Sequence, residues 1–190
     1  VVSSTNTALA GVWLDPGDSG FRSDLRLLVD KGVLDISVNT WPVSTRDIAG
    51  QLISERDSYG YEIFRKVPAD LQPHVKRALK RVRERVRLEQ KTLKADMQAS
   101  LANKPRFLRM GRDLPVEGSE YSIGLDLTSK YAFARGKFSH VSDPEDDREL
   151  RADGSYLGLQ LGNWALTFGA QDRWWGPGYD GSLIYSNNAR

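Results

Sequence analysis

The chain contains no cysteine. That absence removes disulfides, thiolate metal sites and thiol nucleophiles together. Its two histidines, His74 and His140, sit in unrelated contexts, so neither a zinc-binding pair nor a nucleophile–base triad can be read. No glycine-rich phosphate loop occurs. Asp143, Glu145 and Asp147 alternate like the start of a calcium loop, but Arg148 stands where glycine is needed. Charge of one sign is lacking too: 27 Lys and Arg against 25 Asp and Glu leave +2, so no global field argues for nucleic acid. No apolar run approaches the ~18 residues of a membrane-spanning helix. No basic-then-apolar leader opens the sequence, which is expected to have lost one or never to have had it.

None of these absences excludes a membrane protein that crosses with strands. A transmembrane β-strand needs only ~9–11 residues, of which every second one faces lipid, and averaging hides that signal. A mean hydropathy of -0.49 is compatible with such a barrel. The 39% hydrophobic and 27% charged contents are ordinary for a folded protein, and 190 residues suit one medium domain or two small ones.

Residues 1–103 read as helical. Ser23 is a candidate cap for a helix carrying Leu25, Leu28 and Val29, with Gly32 as its stop. An extended link, Val33 to Val38, leads to Thr40-Trp41-Pro42. Ser44-Thr45-Arg46-Asp47 then resembles a capping box ahead of Ile48 and Leu52. From Asp70-Leu71-Gln72-Pro73 the spacing of Val75, Leu79, Val82, Val86, Leu93, Met97 and Leu101 predicts one long helix to about Leu101, with a gap near Gln90. Between Lys76 and Lys94 lie nine basic residues against Glu84 and Glu89, so this helix is strongly basic and amphipathic.

From about residue 104 the period changes to two. Tyr121, Ile123, Leu125 and Leu127 alternate with Glu120, Ser122, Gly124, Asp126 and Thr128, and after a short Ser129-Lys130 turn Ala132, Ala134, Gly136 and Phe138 alternate with Tyr131, Phe133, Arg135 and Lys137. An acidic loop follows. Leu157, Leu159 and Leu161 then lead through a Gly162-Asn163 hairpin turn into Trp164, Leu166 and Phe168. Tyr121, Tyr131, Tyr156, Trp164 and Trp174 fall near strand ends, the pattern of an aromatic girdle on an outer-membrane barrel. If Arg106–Met110 is a first rising strand, both short turns fall on one side of the membrane. The acidic loop and the Trp174-Trp175 loop then fall on the other. Two hairpins with one apolar face also suit a soluble sandwich. In either case the open sheet edges predict completion by residues beyond this stretch.

Three segments carry a family resemblance. They are Gly20-Phe-Arg-Ser-Asp-Leu-Arg-Leu-Leu-Val-Asp-Lys-Gly-Val-Leu34, Val38-Asn-Thr-Trp-Pro-Val-Ser-Thr-Arg-Asp-Ile48, and Gln171 to Leu183 with its Trp-Trp-Gly-Pro-Gly core. In that order they resemble the N-terminal part of the capsule assembly protein Wzi family. The resemblance implies an α+β chain: a periplasmic helical bundle (1–103), then the first antiparallel strands of a transmembrane β-barrel (104–190), incomplete here. It also implies a lectin-like protein, without known catalysis, that holds capsular or exopolysaccharide at the cell surface. Partners would be that polysaccharide and outer-membrane lipid, around a monomeric barrel with no cofactor. The heavily charged helix and the Asp143–Asp147 loop depart from the family pattern.

Within this frame Arg173, Trp174 and Trp175 are candidates for stacking on sugar rings. Asp172, Arg173, Asn187 and Asn188 are candidates for bonding hydroxyls or acidic substituents. The alternative is that both indoles pack or sit in a girdle. The basic helix 75–101 admits an alternative function, an intracellular nucleic-acid-binding module, although it lacks interleaved aromatics. A polysaccharide-cleaving enzyme would need an inward pair of carboxylates.

Overall fold

The computed structural model of the chain describes residues 12–56, 62–64, 70–101, 119–129, 131–142, 144, 147–162 and 164–178. Its first half packs helices around short strands. After β1 (Trp13–Leu14), the Asp18 carboxylate accepts the Phe21 N–H at 2.9 Å and caps α1 (Ser19–Asp30). The expected cap, Ser23, lies inside that helix, where its hydroxyl donates back to the Ser19 carbonyl. Gly32, at φ 67°, takes the left-handed turn that ends the helix. β2 (Thr40–Trp41) and β3 (Val43–Ser44) follow, and β3 pairs with β1. Ser44 then caps α2 (Thr45–Leu52) as its sequence indicates, accepting the Asp47 N–H at 3.2 Å. A small hairpin, β4 (Ile53–Arg56) and β5 (Glu62–Phe64), leads to α3 (Pro73–Glu89).

The apolar stripes of these helices meet in one core. Phe21, Leu25 and Leu28 of α1 close on Val75, Ala78, Leu79, Val82 and Val86 of α3, with Ile48 and Leu52 of α2 beside them. At the edge of that contact Arg81 donates from Nε and Nη2 to Asp24, both at 2.6 Å. The bond and the charge of Asp24 raise the Arg81 guanidinium above its ordinary range.

α3 ends at Glu89, not near Leu101. Residues Leu93–Leu101 form a strand, β6. The gap at Gln90 is therefore a real terminus: the backbone N–H of this residue closes the last turn onto Val86, and the chain then extends. Leu93, Met97 and Leu101 are spaced by fours, which satisfies a strand as well as a helix, and Ala95 and Ala99 complete the strand alternation. The sheet thus begins about ten residues earlier than its sequence suggested. Arg106–Met110, expected as the first strand, lies outside the described residues.

β6 pairs antiparallel with β7 (Ser119–Thr128), and β7 with β8 (Ala132–Val141). The far edge of β8 is shared by β9 (Leu150–Arg151) and β10 (Tyr156–Leu161), and β10 pairs with β11 (Trp164–Gly169). Among the described residues this sheet does not close; β6 and β11 are its edges. β12 (Trp174–Trp175) leaves it and pairs with β2.

The registers sort every side chain onto one of two faces. Leu93 sits opposite Leu127, Leu127 opposite Ala134, Ala134 opposite Leu157, and Leu157 opposite Phe168. Met97, Ile123 and Phe138 form a second such row. This apolar face is bare: Met97 is 81% exposed, whereas the Arg135 side chain on the opposite face is 15% exposed. A soluble domain buries the first kind of residue and exposes the second. β7 and β8, ten residues each, extend ~33 Å at ~3.3 Å per residue, which at a tilt near ~40° spans the ~25 Å apolar band of a barrel wall.

Tyr121, Tyr131 and Trp164 stand exposed on that apolar side or at its rim, as a girdle requires. Tyr156 and Trp174 do not. Tyr156 points inward against Phe133, ring centroids 6.2 Å apart, and Trp174 is buried. Beneath Phe133 lies Gly158, where an added Cβ would stand 2.2 Å from the Phe133 Cζ and 2.5 Å from the Leu166 carbonyl oxygen. Gly158→Ala is expected to cost about 1–3 kcal/mol by overpacking. Adding Phe133→Leu should recover only part of that loss, because the Leu166 carbonyl belongs to the backbone. Denaturant midpoints of the three variants check this.

Candidate functional site

Two features converge where the sheet meets the helices: a charged inner face and the Trp-Trp segment. The inner face begins at the end of α3. Glu89, 7% exposed, accepts from Arg85 Nε at 2.9 Å and from Lys94 Nζ at 2.6 Å. Lys94 also lies 3.6 Å from Asp126, and Arg135 joins Asp126 at 2.9 Å to Asp96 at 3.2 Å. Opposite Asp96 stands Gly124, where a Cβ would fall 2.5 Å from the Asp96 carboxylate. Strand alternation places these ions side by side, and pairing makes their burial tolerable. The chain of ion pairs ties the last turn of α3 to three strands.

Above it opens a cavity of about 690 Å³ between β1, the end of α3 and the inner sheet face. Trp13, Asp18, Gln98, Glu120, Lys137, Ser139 and Asp172 are among its lining residues. The set holds both charges, one amide and one hydroxyl, a donor and acceptor mixture that hydroxyl-rich ligands use. In the sequence these residues are scattered over the helical and strand halves, with Gln98 inside the stretch read as the long helix. Their convergence needed the register that sets Lys94, Asp126 and Arg135 abreast.

The Trp-Trp segment turns toward the helices. Gly169, at φ 140°, passes so close to Ser155 that a Cβ would meet its carbonyl oxygen at 2.5 Å, so only glycine allows the chain to leave the sheet there. Trp174 then sits opposite Trp41, and Trp175 opposite Thr40. Trp174 and Trp41 are each 1% exposed and flank the Arg22 guanidinium, whose Cζ lies 5.4 and 5.5 Å from the two ring centroids. The Gly178 carbonyl accepts from Trp174 Nε1 at 3.0 Å and from Arg22 Nη2 at 3.3 Å, and Arg26 donates to the Pro177 carbonyl. Gly176 N–H is bonded to Asn39 at 2.8 Å.

This corrects two expectations. The segment is not a free loop on the far side of the sheet from the helices: β12 is a strand of the helical unit. Trp174 offers no ring face to a sugar, because both sides are enclosed by the core. Asp172 lines the cavity, Arg173 is exposed, and Trp175 is 36% exposed. Asn187 and Asn188 lie outside the described residues.

An antiparallel sheet with apolar residues on its bare face and ion pairs within has the construction of an outer-membrane-type barrel wall, here with helices docked on its inner side. The chain belongs to the capsule assembly protein Wzi family, whose sequence model matches residues 90–190. It is 27% identical over 198 residues to an uncharacterized 55.8 kDa protein in the cps region of Klebsiella pneumoniae, covering 100% of this chain and 35% of that protein. Its fold superposes with a TM-score of 0.68, at 20% identity, on Wzi of Escherichia coli, covering 95% of this chain and 37% of that one. That protein is described as an outer-membrane protein involved in group 1 capsule assembly and a carbohydrate-binding β-barrel. The chain therefore spans little more than a third of these relatives' length.

Proposed function

We propose that this chain is part of an outer-membrane β-barrel that binds capsular or exopolysaccharide and helps attach or assemble it at the cell surface. The bare apolar face, continuous through five strands and backed by ion pairs, carries the reading, because lipid gives such a face a favourable environment. The helical unit, with α1 to α3 and the returning β12, is the periplasmic part, and β6 to β11 are barrel strands. The barrel is monomeric, and its role is to hold glycan, not to cleave it.

Of the residues expected from the sequence to contact polysaccharide, Asp172, Arg173 and Trp175 lie on the segment that turns to the helical unit, so in this reading they meet glycan from the periplasmic side of the barrel, with Asn187 and Asn188 further along the chain. Trp174 braces them from the core. Sugar affinity of this kind is a sum of modest contacts. Replacing Arg173 and Trp175 together by alanine is therefore expected to weaken capsule retention several-fold without abolishing it. Retention by intact cells and glycan binding by the purified barrel are the measurements. Undiminished binding by a normally assembled double variant removes the segment from the site.

A further inference from the structure

Of the basic residues of α3, only Arg85 lines the cavity. The buried stripe of α3 packs on α1, and Arg81 and Arg85 face acids of the helical unit. On another side, Lys76, Lys80, Arg83 and Arg87 recur at intervals of four, three and four residues. They line a groove of about 360 Å³ floored by Phe64 and Leu79, with Glu84 its one carboxylate among the described residues.

The geometry points to a docking surface for an acidic polypeptide segment on this outer side of α3. At ~1.5 Å rise per residue the four cations stand ~6, ~4.5 and ~6 Å apart along the axis, the spacing at which a partner helix presents Glu or Asp on one face. Glu84 reaches Lys80 at 4.0 Å, with both side chains largely in water, so this pair holds Lys80 only loosely. The aromatic floor narrows the class of partner. The Arg83 guanidinium already lies 4.7 Å from the Phe64 ring centroid. A nucleic-acid base or a sugar ring thus finds no open aromatic platform, whereas an aliphatic side chain can pack beside the ring and Leu79. Clustered cations also speed encounter with such a partner, in a salt-dependent way.

The test uses the detergent-solubilised protein and a fluorescent helical peptide with Glu at the same four spacings and one central Leu. Binding is expected at low ionic strength and should fade as salt rises. Lys80→Glu with Arg87→Glu is expected to weaken it at least ~10-fold through lost and reversed charge contacts. The charge-matched pair Lys31→Glu with Arg77→Glu, off the stripe, should weaken it less than ~3-fold, since only long-range attraction changes. Phe64→Ala should weaken it with every cation retained. Equal losses in both charge pairs, or no loss in either, overturn the proposal. So does tighter binding, with the same variant pattern, of a single-stranded oligonucleotide, a polyuronate or phosphatidylglycerol vesicles.

Discussion

Trp174→Ala is expected to destabilise the protein by about 3–5 kcal/mol, the cost of emptying a fully buried indole site. The ring is 1% exposed and belongs to the same core as Leu25, Leu28 and Val82. Its loss opens a large cavity and also strips one face from the Arg22 guanidinium, which is 5% exposed and held between two indoles. A cation kept from water depends on those partners more than an exposed one does. The effect reaches beyond the helices, because the Trp174–Trp41 bridge carries the chain from the sheet back onto the helical unit. Trp174→Phe should retain most of the burial and lose the indole bond to Gly178, a difference of about 1 kcal/mol. Denaturant unfolding followed by tryptophan fluorescence gives the order wild type, Phe, Ala. Trp175→Ala, by contrast, should leave stability within about 1 kcal/mol, since this ring is partly in solvent. An alanine at position 174 that unfolds like wild type would show that the indole is not the brace described.

The adjacent tryptophans also show what a sequence can and cannot reveal. Two neighbours on a strand point to opposite faces, so a Trp-Trp pair announces one inward and one outward ring. Which is which depends on β2, more than a hundred positions away, and only the Trp174–Trp41 pairing decides it. The helix capped at Ser44 and the strands β7, β8, β10 and β11 were legible, because their signals are local: a capping side chain, a two-residue period, a glycine turn. The Leu93–Leu101 strand was not, since a spacing of four fits both periods and the basic helix runs directly into it. The first helix starts four residues before Ser23, because Asp18 caps it and Phe21 packs in the core. The motifs that carry the family resemblance fall at β2, α1 and β12, which meet around Arg22.

Ile123→Arg is expected to cost about 2–4 kcal/mol in a bilayer or micelle, the cost measured for a charge near the middle of a barrel's lipid face. Ile123 lies opposite Met97 on one neighbour and Phe138 on the other, and all three side chains are more than half exposed in the isolated sheet. For a water-facing residue the same change should stay within about 0.5 kcal/mol and would reduce an apolar patch. The two environments therefore give clearly different magnitudes at one position. An inward comparison sharpens the result: Ser122, the next residue, is 4% exposed on the polar face, so its loss tests packing and not lipid. A serial replacement by Arg along β7 at Tyr121, Ile123, Leu125 and Leu127 should show the largest loss at the middle two positions. Smaller losses are expected at the ends, where a long side chain reaches the headgroups. Folding measured by heat-modifiable gel migration, and by unfolding in phospholipid, gives this profile directly. A flat profile with small effects would mean that water, or another protein surface, covers the outer face of the sheet.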